Sequence, residues 1–401
     1  MKPYHKIGAA LLAGCVAFFP LCLSARAQAE ALFDIQEMKR PDIPGLVIRE
    51  DDALPNLTAR SAVVMDAATG LVLYERDKDE RRYPASTTKI MTLILALEKS
   101  SPDDMVTISS NAAGAEGSTL WLEAGQTIRM EDLLYGMMLH SGNDAAIAVA
   151  EHIAGSVPAF ARMMTEKAHE IGAIHTNFVN ANGLPDDAHY TTAYDMARIA
   201  AYGYQLEDFE KIVSTKEVTF DWIADDTHRL RNENQMLWLY RGGNGVKTGY
   251  TDAAGRCLVS AAKDNGIQLI AVVFDSVYMW NDSIKLLDYG FSQAEPVQIV
   301  QEGEQVGTAA VAGGRGTIPV YAAHALTLAA RKDAEGQYER KLVLDDVSAP
   351  VTRGDKVGRL AILQDGKEIA SVDCLAGASV EKRSFFARIT AWFQSLIRSF
   401  I

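Results

Sequence analysis

Three short segments set out reactive side chains in a fixed order: Ser86-Thr87-Thr88-Lys89, Ser141-Gly142-Asn143 and Lys247-Thr248-Gly249. The residue types are those of acyl transfer through a serine. A serine hydroxyl is a poor nucleophile until a base takes its proton. Lys89 follows Ser86 by three residues, and positions i and i+3 share a helix face, so the amine is placed to reach the hydroxyl. A lysine acts as base only when its pKa is lowered. Burial, the positive end of a helix dipole and a second cation at Lys247 would each lower it. Ser141 can relay a proton between Lys89 or Lys247 and a leaving group. The Asn143 amide can hold both Lys89 and a substrate carbonyl. Lys247 and Thr248 offer charge and a hydroxyl to a terminal carboxylate, and Gly249 leaves room for a substrate backbone along a strand edge. Each tripeptide or tetrapeptide is common by chance. The ordered set, each member in the local context its role requires, is far more specific. His140 reads as a packing neighbour and not as a base.

The elements that must position these residues are legible in outline. Ser61 to Met65 and Leu71 to Glu75 are β-rich around the turn Asp66-Ala67-Ala68-Thr69-Gly70. Ser86 to Glu98 reads as a helix apolar almost all round, hence a buried central helix. Met130 to Leu139, Asp144 to Ala154 and Val157 to Ile171 read as further helices, with Ser141-Gly142-Asn143 as a break. Val218 to Ile223, Gly245 to Thr248, Cys257 to Ala262 and Ile267 to Phe274 read as strands. Lys263-Asp264-Asn265-Gly266 is the turn of the last pair. The expected fold class is α/β: a mixed sheet with a helical cluster, over residues 59–291. From 295 to 376 the chain is short strands punctuated by glycine, with Asp365-Gly366 as a hairpin signal, and reads as a small all-β domain without a catalytic constellation.

Composition bounds the setting. The chain has 401 residues, 48% of them apolar, and a formal net charge of −13. Such a charge makes nucleic acid an unsuitable partner. Residues 1–27 read as an export leader: Lys2, His5 and Lys6, an apolar run from Ile7 to Leu23, then Ala25-Arg26-Ala27 as a cleavage signal. Without the leader's three cations the charge is about −16. An alternative remains open, because Leu12-Ala13-Gly14-Cys15 resembles a lipobox that would lipidate Cys15. Residues 28–58 read as an irregular lead-in interrupted by Pro41, Pro44 and Pro55. Cys257 and Cys374 read as buried free thiols. No Cys or His spacing points to a metal site.

Residues 382–401 carry a different pattern. Phe385, Phe386, Ile389, Trp392, Phe393, Leu396, Ile397 and Phe400 recur at helical spacing, beside Lys382, Arg383, Arg388 and Arg398. This reads as an amphipathic helix lying in the plane of a membrane surface. The alternative is a helix docked on the protein's own core.

The three motifs together resemble those of penicillin-binding proteins and serine β-lactamases. The resemblance is strongest to the D-alanyl-D-alanine carboxypeptidases of low molecular mass, and covers Ser61 through Ile401. Pro84-Ala85-Ser86-Thr87-Thr88-Lys89, His140-Ser141-Gly142-Asn143-Asp144-Ala145 and Gly245-Val246-Lys247-Thr248-Gly249-Tyr250-Thr251 are similar to that family's motifs. So are Asn180-Ala181-Asn182-Gly183-Leu184 and the stretch from His189 to Met196. The resemblance implies the penicillin-binding, transpeptidase-like fold, and hydrolysis of the terminal D-Ala from peptidoglycan stem pentapeptides through an acyl-enzyme on Ser86. It implies oxyanion donors from the backbone N–H groups of Ser86 and Tyr250, β-lactams as covalent inhibitors, no metal or organic cofactor, and a location on the outer face of the bacterial cytoplasmic membrane. One departure is visible: family members often carry an Arg beyond the third motif, and Gln268 stands at its apparent counterpart.

Two other readings use the same residues. A β-lactamase would share the motifs but needs rapid deacylation, and no segment here matches the extra glutamate of the class A enzymes. A non-catalytic penicillin-binding sensor or scaffold would not need every reactive residue type intact, as they are here.

Overall fold

The computed structural model describes residues 55–222, 229–314, 316–331 and 338–382. The leader, most of the lead-in and the segment from 383 onward lie outside these residues, and with them Cys15, Ala27 and the terminal amphipathic pattern.

The catalytic part is built on a five-stranded antiparallel sheet. Its strands are β1 (Ser61–Asp66), β2 (Val72–Arg76), β7 (Gly243–Thr251), β8 (Gly255–Asp264) and β9 (Ile267–Phe274), in the order β2-β1-β9-β8-β7. Two small hairpins lie in between: β3 (Met105–Thr107) with β4 (Thr127–Arg129), and β5 (Glu217–Thr219) with β6 (Arg229–Arg231). The longer helices are α1 (Lys89–Lys99), α2 (Met130–Leu139), α3 (Asn143–Ala154), α4 (Val157–Ile171), α5 (Ala193–Gly203), α6 (Phe209–Ser214) and α7 (Met279–Gln293).

The sheet is covered on both sides. Val63, Met65, Ile270 and Val272 face the helical cluster and share its core with Ile90, Leu93 and Ile94 of α1. On the other face α7 packs so closely that a side chain at Gly290 would meet Val64 and Leu269. Strands buried on both faces carry unbroken apolar runs, as residues 269–274 of β9 do. Each large aliphatic side chain so buried contributes roughly 1.5–3 kcal/mol.

Local signals set the ends of elements. The Asp66 carboxylate accepts from the Thr69 backbone (3.0 Å) and hydroxyl (2.7 Å), closing the β1–β2 turn. Ser156 and Thr192 cap α4 and α5 by accepting from Ala159 and Asp195 backbone N–H groups. Asn265 and Gly266, both at positive φ, make the two-residue turn between β8 and β9.

Three expectations need correction here. The sheet is not mixed: β1–β2, β1–β9, β8–β9 and β7–β8 all pair antiparallel, because β1–β2 and β7–β8–β9 are joined by short turns that reverse the chain. Val218 to Ile223 does not form one strand: β5 stops at Thr219, and Phe220 stacks on Trp222 with ring centroids 5.3 Å apart. Trp222 donates to Asp132 (3.1 Å), so these aromatics pack beside the helical cluster and not in a sheet. Ser86 does not lie in the α-helix. Residues Ala85–Thr88 form a 3₁₀ turn in which both the backbone N–H and the hydroxyl of Thr87 donate to Pro84 O, and the α-helix starts at Lys89.

Among the described residues after α7, the regular elements are all strands. Strand β10 (Ala294–Val300) pairs with β13 (Leu326–Arg331). A second five-stranded sheet has the order β11-β12-β16-β15-β14, from β11 (Gln305–Ala310), β12 (Thr317–Ala322), β14 (Glu339–Leu344), β15 (Lys356–Gln364) and β16 (Lys367–Ala376). Asp365-Gly366 turns β15 into β16, as the hairpin signal predicts. This part has its own core, including Val320, Leu328, Leu360, Ile362 and Cys374. Among the described residues no helix is long and apolar enough to cross a membrane.

Candidate active site

The three motifs converge where α1, the α2–α3 loop and β7 meet. Ser86, half-buried on its 3₁₀ turn, presents Oγ 3.0 Å from Lys89 Nζ. Lys89 is fully buried, and its amine also donates to Asn143 Oδ1 (2.7 Å) and to the Asn182 carbonyl (2.7 Å). Burial holds the Lys89 pKa well below its usual value, the nearby Lys247 ammonium lowers it further, and Glu233 and Asp144 oppose the shift. A neutral amine has two N–H bonds and one lone pair. In that neutral form the two carbonyl oxygens would take the N–H bonds, which leaves the lone pair for the Ser86 hydroxyl.

The second motif is a strained, buried turn. Ser141 has φ of 63°, and a side chain at Gly142 would collide with Leu120. Asn143 opens α3 and donates from Nδ2 to Glu116 O (2.5 Å), while its backbone N–H donates to Ser118 O (2.7 Å). Asp144, also buried, accepts from the Leu120 and Leu122 backbones at 2.8 and 3.1 Å. These bonds pin the 116–122 loop beside the site. His140 is exposed at the end of α2.

The third motif lies on β7, at the edge of the sheet. Lys247 is 1% exposed, and burial lowers its pKa while Glu233 opposes that shift. Its Nζ lies 3.4 Å from Thr248 Oγ1. Gly249 also allows a close approach within the protein: a Cβ there would lie 2.9 Å from Ser86 N and 3.1 Å from Thr87 N. The close approach it permits is that of the nucleophile's own backbone, which brings the Ser86 turn against the strand that carries Tyr250.

Gln268 does not occupy a carboxylate-binding position. Thr248 pairs with Leu258 on β8, but Gln268 of β9 pairs with Lys263. At about 3.4 Å per residue, five residues place it roughly 17 Å along the sheet. Its amide is engaged with Asn244 and the Ala262 carbonyl.

Four contributors have no counterpart in the motif reading. Asn182 and Gly183 lie in a stretch singled out by resemblance alone. Asn182 O holds Lys89, and any side chain at Gly183 (φ 94°) would overlap Ala85 O. His189 lies 2.8 Å from the Thr88 hydroxyl through Nε2 and accepts from Val179 N at Nδ1, so the Nε2–H donates to Thr88. Burial pushes its pKa down to about 4, so the ring is neutral. Glu233 brings a carboxylate to Thr248 and Lys247. Nothing in the spacing of the three motifs points to position 233.

Residues 49–277 match the family model described as D-alanyl-D-alanine carboxypeptidase. The chain belongs to the D-alanyl-D-alanine carboxypeptidase family. Residues 295–382 match the C-terminal domain of penicillin-binding protein 5. Among the carboxypeptidase relatives, DacF of Bacillus subtilis is 35% identical over 341 residues, spanning 82% of this chain and 87% of the relative. DacA of Haemophilus influenzae is 34% identical over 355 residues, spanning 84% and 89%. The crystal structure of penicillin-binding protein 5 from Haemophilus influenzae superposes with a TM-score of 0.59 at 32% identity, covering 82% of this chain and 99% of that one. Like these carboxypeptidases, the chain is a serine-type peptidase with an α/β catalytic domain followed by a β domain.

Proposed function

We propose that this protein removes the terminal D-Ala from peptidoglycan stem pentapeptides through an acyl-enzyme on Ser86. The observation that carries the reading is the buried Lys89 amine, 3.0 Å from the Ser86 hydroxyl, with a pKa lowered by burial. The Ser86 O–H bond breaks as Lys89 takes the proton, and Oγ bonds to the carbonyl carbon of the D-Ala–D-Ala link. The backbone N–H groups of Ser86 and Tyr250 stabilise the oxyanion. The C–N bond then breaks, and the proton passes from Lys89, with Ser141 as relay, to the departing D-Ala amine. Asn143 holds Lys89 and the substrate carbonyl. Lys247 and Thr248 bind the terminal carboxylate, and Gly249 keeps the strand close to the nucleophile. Water attacks the ester as Lys89 takes its proton; the acyl C–Oγ bond then breaks, the shortened peptide leaves, and Lys89 returns the proton to Ser86 Oγ. No metal or organic cofactor enters these steps. β-Lactams acylate the same serine and block it.

The leader directs export, and the amphipathic segment beyond Lys382 holds the enzyme on the outer face of the cytoplasmic membrane, close to its polymeric substrate. These two parts are read from the sequence alone. Mass spectrometry of stem pentapeptides incubated with the purified protein tests the reaction. Conversion to tetrapeptide plus free D-Ala is expected. An unchanged pentapeptide together with rapid turnover of penicillin would make the protein a β-lactamase.

A further inference from the structure

The anchor assigned above to the substrate's terminal carboxylate already holds a carboxylate. Glu233 Oε2 accepts from Thr248 Oγ1 at 3.3 Å and lies 3.8 Å from Lys247 Nζ. Both partners are buried, and the Lys247 charge faces Glu233 at ion-pair distance. The Glu233 side chain is 38% exposed, so it reaches into the anchor from the solvent side.

This placement is built into the backbone. Asn232 and Asn234 on either side are buried. Asn232 donates to Thr215 O (2.9 Å) and accepts from Asn234 N (2.9 Å); Asn234 accepts from Met236 N (3.1 Å). Glu233 N donates to Leu139 O (3.0 Å) at the end of α2. The segment is thus tied on both sides, and the side chain between the two asparagines is aimed at β7. Gln268, the residue expected to vary the anchor, is far along the sheet.

We propose that Glu233 is a specificity-determining residue that occupies the carboxylate anchor of the free enzyme, so that a substrate's C-terminal carboxylate binds by displacing it. This rests on the assignment of a D-Ala–D-Ala substrate. Two carboxylates beside one buried ammonium repel each other, and the Thr248 hydroxyl has one hydrogen to donate. The bound substrate therefore turns Glu233 out toward water, which its partial exposure permits. The arrangement weakens the grip on every ligand with a terminal carboxylate and leaves neutral ends unaffected.

The test uses the full chain with Ser86→Ala, which binds without turnover, and the same protein carrying Glu233→Gln. Calorimetry measures two probes: a diacetylated tripeptide ending in D-Ala-D-Ala, and its C-terminal carboxamide. Glu233→Gln is expected to tighten the free-acid peptide about tenfold, near 1.4 kcal/mol, and to move the carboxamide less than twofold. Equal changes in both peptides, or no change, overturn the proposal. Weaker binding of the free acid also overturns it and makes Glu233 a support for the Lys247 charge. D-Ala release by the unmodified enzyme is measured alongside. If the acid peptide tightens as expected but is not cleaved, the anchor stands and the proposed reaction fails.

Discussion

Lys89 concentrates the chemistry of the site in one buried amine. Its full burial and the neighbouring Lys247 both disfavour the charged form, and the acids Glu233 and Asp144 only partly restore it. A lowered pKa puts the neutral, basic amine at a lower pH than the ordinary lysine value of about 10.4. The acylation rate is therefore expected to rise with pH as Lys89 loses its proton, and to level off well before that value. Lys89→Arg keeps a cation that cannot deprotonate in this range. It is expected to lower acylation by about 10²–10⁴-fold, the usual worth of a general base. Stopped-flow acylation by a chromogenic β-lactam across pH checks both statements. A variant that acylates at the parent rate would make Lys89 structural.

At the scale of elements, the site depends on how closely three backbones approach. Gly249 and Gly183 let β7 and the 180–184 loop press on the Ala85–Thr88 turn from two sides. Gly249→Ala puts a methyl group 2.9 Å from Ser86 N and must part the strand from the nucleophile. A displacement of that order is expected to cost about 10²-fold in kcat/KM, while circular dichroism stays that of the parent. Undiminished kcat/KM would show that the contact does not set the site.

The same elements show what could be read in advance. Ile267–Phe274, Met130–Leu139 and Val157–Ile171 fold over the residues expected: the first is a short, β-branched, nearly continuous apolar run bounded by a turn, and the others are long enough and periodic enough for helix. Helix α7 has no counterpart among the elements read from the sequence. Asp282 is in fact a buried acceptor for Thr58, Ala59 and Ser276, contacts more than 200 residues away for the first two. The reactive motifs were legible because chemistry restricts residue type. Asn182, His189 and Glu233 act through a carbonyl, a neutral ring and a chance of chain path, and no spacing rule reports those.

For the whole molecule, the junction of the two folded parts and the tail carry separate expectations. Asp66, at the end of β1, is buried, and desolvation pushes its carboxyl up to about 6. Ala68 of the same turn packs against the core of the β domain, and Arg331 donates to Val72 O (2.7 Å). A carboxyl whose pKa is higher folded than unfolded opposes folding once ionised. Its cost appears as pH rises from about 4 to 6 and is complete above that, at most about 3 kcal/mol for a shift of two units. Asp66→Asn keeps an acceptor for Thr69 and cannot ionise. It is expected to gain about 1–3 kcal/mol at pH 7.5 and much less at pH 4, measured by urea unfolding; equal changes at both would refute the assignment. The tail makes a different kind of contribution. Truncation after Lys382 is expected to move the enzyme from washed membranes to the soluble fraction with turnover of a soluble peptide retained. Continued sedimentation would point instead to lipid on Cys15 or an uncleaved leader.

The central claim is that Ser86, activated by Lys89, becomes acylated. The full protein is incubated with benzylpenicillin, quenched, digested and sequenced by mass spectrometry, beside a Ser86→Ala control. The account predicts one stoichiometric adduct, on the Ser86 hydroxyl, and none in the control. An adduct on any other residue, or one that persists in the control, contradicts it.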